Sequence, residues 1–210
     1  MFIQQALTDP FLYFGWIVFV TFSICCHEYA HAYTALHFGD DTAARNGHLT
    51  LNPLMQMGIQ SLIMLALFGI AWGAVPVDPV RVRSAPKRAF IAFSGPLMNL
   101  LLCLLFSLLS VIAKAAGSPD AVHFLLIGGA ANGMLFVFNI LPVPALDGFA
   151  VVSAFHPGLG RFAQKYATAV FLIFILLLWN SPLGSFIFAA GYALESVFVA
   201  FWHSLAALIF

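Results

Sequence analysis

Apolar residues run almost unbroken through six stretches of this chain: 11–38, 59–77, 89–116, 122–141, 166–179 and 183–210. Polar, turn-rich segments separate them. A helix that crosses a membrane needs about 20 consecutive apolar residues. The first, third, fourth and sixth stretches meet that length, and the fifth reaches it only with Asn180 and Ser181 near an interface. No hydrophilic stretch is long enough for a separate soluble domain, and the chain shows no internal repeat. The pattern predicts an all-α polytopic membrane protein, a bundle of five to six transmembrane helices. It is read as a single domain over 1–210, with a core at about 11–150 and accessory helices at about 160–210.

The second stretch breaks the pattern. Gly58, Gly69 and Gly73 punctuate it and Pro76 closes it, which suits a re-entrant segment at 59–77 as well as a crossing. If it does not cross, Arg45, Arg81, Arg83, Lys87, Arg88, Arg161 and Lys165 share one face and only Lys114 lies on the other. If it crosses, Arg45 changes sides. The excess of Lys and Arg on cytoplasmic faces accepts either arrangement.

Composition adds two exclusions. The chain is 62% hydrophobic and 8% charged, against about 25% charged in soluble domains. Its formal net charge is zero, so no nucleic acid is expected as a partner and the lipid bilayer is. Cys25, Cys26 and Cys103 all fall in apolar runs and read as small buried hydrophobes, not as a disulfide framework or a C-x-x-C metal site. The N-terminus lacks basic residues and a small-residue cleavage site, so the first run reads as a retained span.

Within that first run the one ionisable acid is Glu28, inside His27-Glu28-Tyr29-Ala30-His31. Two histidines four apart lie one helical turn from each other on one face, so both imidazoles can reach one metal ion. The glutamate beside the first can accept a proton from an attacking water. Charge inside a membrane helix is costly, and it marks a functional site by default.

Two histidines are an incomplete catalytic zinc site, which usually takes three protein ligands. Asp147 is the third candidate, in Asn139-Ile-Leu-Pro-Val-Pro-Ala-Leu-Asp147-Gly148, where Pro142 and Pro144 stop a regular helix. Asp9, Asp40, Asp41, Asp78 and Asp120 sit in polar loops and read as solvated. Asn99 and Asn132 suit either interhelical hydrogen bonding or a place in the site. His37 and His48 read as surface residues, and Glu195 is expected to pair with His203 or face a cavity.

The H-E-x-x-H pentapeptide, Gly95-Pro96-Leu97-Met98-Asn99 and N-x-x-P-x-P-x-L-D-G together resemble the site-2 protease family of intramembrane zinc metalloproteases, from about Cys25 to Gly148. The resemblance implies one Zn2+ per chain held by His27, His31 and Asp147, with Glu28 as catalytic base. It also implies a substrate cleft lined by Asn139, Pro142 and Pro144, with Asn99 as further support. The implied substrate is a transmembrane segment of another membrane protein. Leu51-Asn52-Pro53 is similar to the short bacterial subgroup, but Met55, Gln56 and Met57 stand where that subgroup has a histidine and an aspartate. Phe149-Ala150 stands where a glycine and an arginine are common.

His27 and His31 lie past the midpoint of the first run and Asp147 just beyond the fourth. They meet only if those runs cross in the same direction, which requires 59–77 to return to its starting face. The expected protein is a multi-pass cell-membrane protein with its site nearer the cytoplasmic face. The competing expectation is a metal-ion transporter or channel using the same ligands, with Glu28 as a fourth.

Overall fold

A computed structural model describes residues 2–78 and 80–209; the side chains of 157, 161–164, 179 and 209 lie outside that description. Arg161 of the basic set and Trp179 at the end of the fifth run are among those. Seven helices carry the architecture: α1 (Pro10–His37), α2 (Gly58–Phe68), α3 (Ala85–Ala115), α4 (Pro119–Asn139), α5 (Asp147–Phe155), α6 (Pro157–Asn180) and α7 (Leu183–Ile209). No strand occurs among the described residues. Four helices, α1, α3, α4 and α7, are long and apolar enough to cross a membrane. In α6 the described apolar stretch is Lys165–Leu178.

Local chemistry sets the ends. Asp9 accepts from the Leu12 amide ahead of α1, and Pro10 stands in its first turn, where a missing N–H costs nothing. Gly39, at φ 97°, stops α1 in a conformation few other residues adopt. Gly117 (φ 72°) and Pro119 make the tight link from α3 to α4.

The expected re-entrant segment is observed as a short helix and an extended return. The 11 residues of α2 span about 16 Å, half of the roughly 30 Å of a bilayer's hydrocarbon. Gly69 ends α2 at φ 74°, and the chain doubles back until the Ala74 amide donates to the Gln56 carbonyl at 3.0 Å. Arg81 then pairs with Asp41 at 2.6 Å. The chain therefore leaves α1 and enters α3 at the same end of the bundle, and 42–77 does not cross.

The core joins α1, α3 and α4 around Phe19, Val20, Ile24, Leu102, Phe106 and Ile127, with Leu65 of α2 packed in. A second cluster, Leu146, Phe174 and Ile187, seats α5, α6 and α7 on the end of α4. One loop expectation is corrected here. Asp40 is fully buried, not solvated. It accepts from the Thr42 amide (3.0 Å), the Thr42 hydroxyl (2.5 Å) and the Asp78 amide (2.7 Å), with Arg81 Nε 4.0 Å away. A buried carboxylate is tolerated when donors replace its water, and here the folded-back segment brings them.

Candidate metal centre

His27 and His31 project from one face of α1, and Asp147 opens α5, so the three reach one point from two directions. Their donor atoms lie within 4.8 Å of one another, the metal-type cluster found among the described residues. His27 Nε2 stands 3.0 Å from His31 Nε2 and 3.0 Å from Asp147 Oδ2, and His31 Nε2 stands 3.4 Å from Asp147 Oδ1. Three donors on a tetrahedral zinc, each about 2 Å from the ion, are about 3.3 Å apart. The spacing fits.

The hydrogen bonds behind the rings say which nitrogens are free. His31 Nδ1 faces the Ile91 carbonyl at 2.7 Å, so it must carry the proton, and Nε2 is left as a bare lone pair. His27 is set by a relay. The Asn132 amide nitrogen donates to the Gly128 carbonyl (2.9 Å) and to Ser23 Oγ (2.8 Å), which turns its oxygen toward Asn99. The Asn99 nitrogen donates to that oxygen at 3.0 Å, leaving the Asn99 oxygen to accept from His27 Nδ1 at 2.6 Å. Two bare imidazole nitrogens and a carboxylate then face one another. Such an arrangement is favourable when a cation lies between them.

Glycine makes room on two sides. A Cβ on Gly95 of α3 would overlap Nε2 of both histidines, and one on Gly73 of the return segment would overlap the Glu28 carboxylate. Gly148 next to Asp147 is equally constrained, because a Cβ there would strike the Ile140 and Leu141 carbonyls at the end of α4. Glu28 is 8% exposed. It shares a cavity of about 510 Å³ with His31, Asp147, Gly73, Val75, Ala92 and Arg88. Pro96 lacks the N–H that would occupy the Ala92 carbonyl in a regular helix.

The remaining expected residues fall on either side. Asn99 is fully buried behind His27 with both ends of its amide used, so it steadies that ring instead of facing the cavity. Asn139 closes α4, donating to the Leu135 carbonyl at 3.0 Å. Pro142 is exposed and Pro144 buried on the link that delivers Asp147. Ala145 on that link sits at φ 81°, a strained conformation for a residue with a Cβ. Leu146 N–H donates to the Val143 carbonyl at 2.9 Å and closes the turn. Sequence reasoning missed Gln56 and Arg88. Gln56 is buried, its amide bonded to the His48 and Thr50 carbonyls and close to the His48 ring. Arg88 donates to the Val82, Arg83 and Ala154 carbonyls and so joins α3 to the end of α5. Neither residue carried a sequence signal for these contacts, since the accepting groups are backbone carbonyls.

Fold and donor set define the class: a polytopic helical membrane protein with two histidines, a carboxylate and a neighbouring glutamate assembled as a catalytic-type metal site. Known proteins place it further. The chain is 33% identical over 195 residues to the Bacillus subtilis protein named "Putative zinc metalloprotease YwhC", covering 85% of this chain and 89% of that one. It is 33% identical over 183 residues to "Putative zinc metalloprotease Rip2" of Mycobacterium tuberculosis, covering 80% of this chain and 66% of the relative. Rip2 of Mycolicibacterium smegmatis is also 33% identical, over 195 residues, 85% of this chain and 70% of the relative. No protein-family model and no solved structure matches. The chain belongs to the zinc metalloprotease family of YwhC and Rip2.

Proposed function

We propose that this protein is a zinc-dependent endopeptidase of the site-2 type. It hydrolyses a peptide bond within or near a transmembrane segment of another membrane protein, as a step of regulated intramembrane proteolysis. The observation that carries the reading is the convergence of two bare imidazole nitrogens and the Asp147 carboxylate beside a cavity that Glu28 also lines. His27, His31 and Asp147 would hold one zinc ion. Bound there, zinc supplies Lewis acidity toward the scissile carbonyl and lowers the pKa of a coordinated water toward 7.

The chain's own residues do the rest. Glu28 takes the proton of the attacking water and hands it to the leaving amine. Asn99, Asn132 and the Ile91 carbonyl keep both imidazoles in the tautomer that leaves Nε2 free. Asn139, Pro142 and Pro144 border the substrate path beside Asp147. A helical substrate hides its carbonyls in internal hydrogen bonds, so helix-breaking residues near the cleaved bond favour attack. Arg45, Arg81, Arg83, Lys87 and Arg88 cluster at the end of the bundle where α1 stops and α3 starts, which supports a site nearer the cytoplasmic face of the cell membrane. Metal-ion transport is not favoured, because Glu28 stands outside the three-donor set and the relatives are named as proteases.

The test is cleavage of a quenched fluorescent peptide of about 20 apolar residues, a length that spans lipid, carrying a central Asn-Gly. The purified full chain should cut it, and Glu28→Gln should not while keeping its zinc. Cleavage by Glu28→Gln at the normal rate would refute the assignment.

A further inference from the structure

The return segment, residues 69–78, forms a wall over Glu28. Trp16 Nε1 of α1 donates to the Gly69 carbonyl at 3.1 Å where the segment begins, and three further points fasten the rest. Ser61 Oγ donates to the Trp72 carbonyl at 2.7 Å and accepts from the Trp72 amide at 2.9 Å. The Ala74 amide donates to the Gln56 carbonyl at 3.0 Å. Both of these lie inside the folded-back segment. The third does not: the Asp78 amide donates to Asp40 Oδ2 at 2.7 Å. Asp40 stands just beyond the end of α1, and its own amide donates to the Ala35 carbonyl within that helix at 2.9 Å. This bond therefore ties the wall to the helix that carries His27, Glu28 and His31.

Both oxygens of Asp40 are engaged. Oδ1 is taken by the amide and hydroxyl of Thr42, so Oδ2 is the oxygen left for the wall. Between the anchors at 74 and 78, Val75 and Val77 line the cavity that also holds Glu28, His31 and Asp147. Gly73, between the anchors at 72 and 74, approaches Glu28 too closely for any side chain. Release of Asp78 would move this lining and leave the metal donors, which sit on α1 and α5, where they are.

We infer that Asp40 is a positioning residue: by holding Asp78 to the end of α1, it sets the width of the cavity through which a substrate segment reaches Glu28. The inference rests on the peptidase reading above. Asp40→Asn keeps the size but offers a single accepting oxygen, so one side of the clamp is lost.

The experiment uses the purified full chain with Cys25, Cys26 and Cys103 replaced by serine and Val75→Cys introduced, labelled with a water-soluble maleimide. Asp40→Asn should speed labelling about tenfold, the worth of one hydrogen bond to a charged group. It should also raise KM for the quenched peptide more than it lowers kcat, with zinc content unchanged. Asp78→Pro removes the donating N–H and should do the same, whereas Asp78→Ala, which keeps the N–H and loses only the carboxylate 3.4 Å from Arg81 Nε, should not; the pair carries the test if Asp40→Asn does not fold. Unchanged labelling and KM in a folded, zinc-retaining variant would overturn the inference. Loss of zinc in both variants would overturn it too, by making Asp40 a prop of the whole fold. Labelling needs no turnover, so a protein that never cleaves the peptide sinks the peptidase reading while the clamp is still read.

Discussion

The half of the bundle that gathers His27, His31 and Asp147 and the last helix bury polar groups in opposite ways. In α1, α3 and α4, Ser23, Asn99 and Asn132 are fully buried and bonded to one another, and the chain of bonds ends on His27. In α7, Glu195 is 5% exposed and its Oε1 has no partner among the described residues. It packs where Gly129 leaves space, one turn from the close backbone contact of Gly133 with Gly191. The expected pairing with His203 is not made: His203 is exposed. The contrast shows how polarity survives in an apolar bundle. A set of groups that orient one another serves a single point, whereas a carboxyl outside that set is accommodated by packing.

If that contrast is right, substitutions in the first set act on metal and those around Glu195 do not. The largest effect is expected for Asp147→Ala, which should drop zinc from about one per chain to near zero by metal analysis, since catalytic zinc needs its third protein ligand. Glu195→Ala should keep its zinc. Gly95→Ala comes next, because its Cβ would overlap both donor nitrogens. We expect cleavage to fall at least about 100-fold with loss of zinc, as for displaced ligands, while Gly158→Ala, with open space around it, should cut normally.

Asn99→Ala removes the partner of His27 Nδ1 and should weaken zinc affinity about 10- to 100-fold in a chelator competition, the usual effect of losing such a partner. Asn132→Ala acts one bond further back and should cost less than Asn99→Ala in the same assay. Equal losses would mean that the relay is rigid packing and not a chain of orientation.

The smallest effect concerns pH. Burial opposes the charge of Asp40, but the Thr42 hydroxyl, the Asp78 and Thr42 amides and Arg81 outweigh it and hold the carboxyl below its ordinary range. Asp41, Asp78 and Arg81 are the charged groups around it. A lowered folded pKa gives stability that is complete above the unfolded value and lost as pH falls through the folded one. The difference in melting temperature between the unsubstituted protein and Asp40→Asn should therefore stay constant from pH 5 to 9. It should close only below about pH 4, the ordinary aspartate range.

Much of this was legible in the chain. Four long apolar runs became α1, α3, α4 and α7, because length and apolarity alone decide a span. The glycines of 59–77 marked the fold-back, since Gly69 needs its positive φ and Gly73 its missing side chain. His27, His31 and Asp147 were nameable because each places a metal-ligand type in an apolar setting. Asp40 was misread because burial of this loop acid depends on an amide that arrives from 38 residues away. Asn99 read as either an interhelical hydrogen bonder or a site residue, and the structure gives the first: the Asn132 bond turns its oxygen to His27. Gln56 and Arg88 were invisible as site neighbours because their partners are backbone carbonyls, which carry no sequence signal.

In the proposed function, His27, His31 and Asp147 hold the metal and Glu28 does not. X-ray absorption at the zinc edge of the purified full chain, beside Glu28→Gln, tests it most directly. Two imidazole nitrogens with oxygen donors are expected in both proteins, with superimposable spectra. A first coordination shell that loses an oxygen in Glu28→Gln would contradict it, because Glu28 would then be a ligand and no longer available as the base.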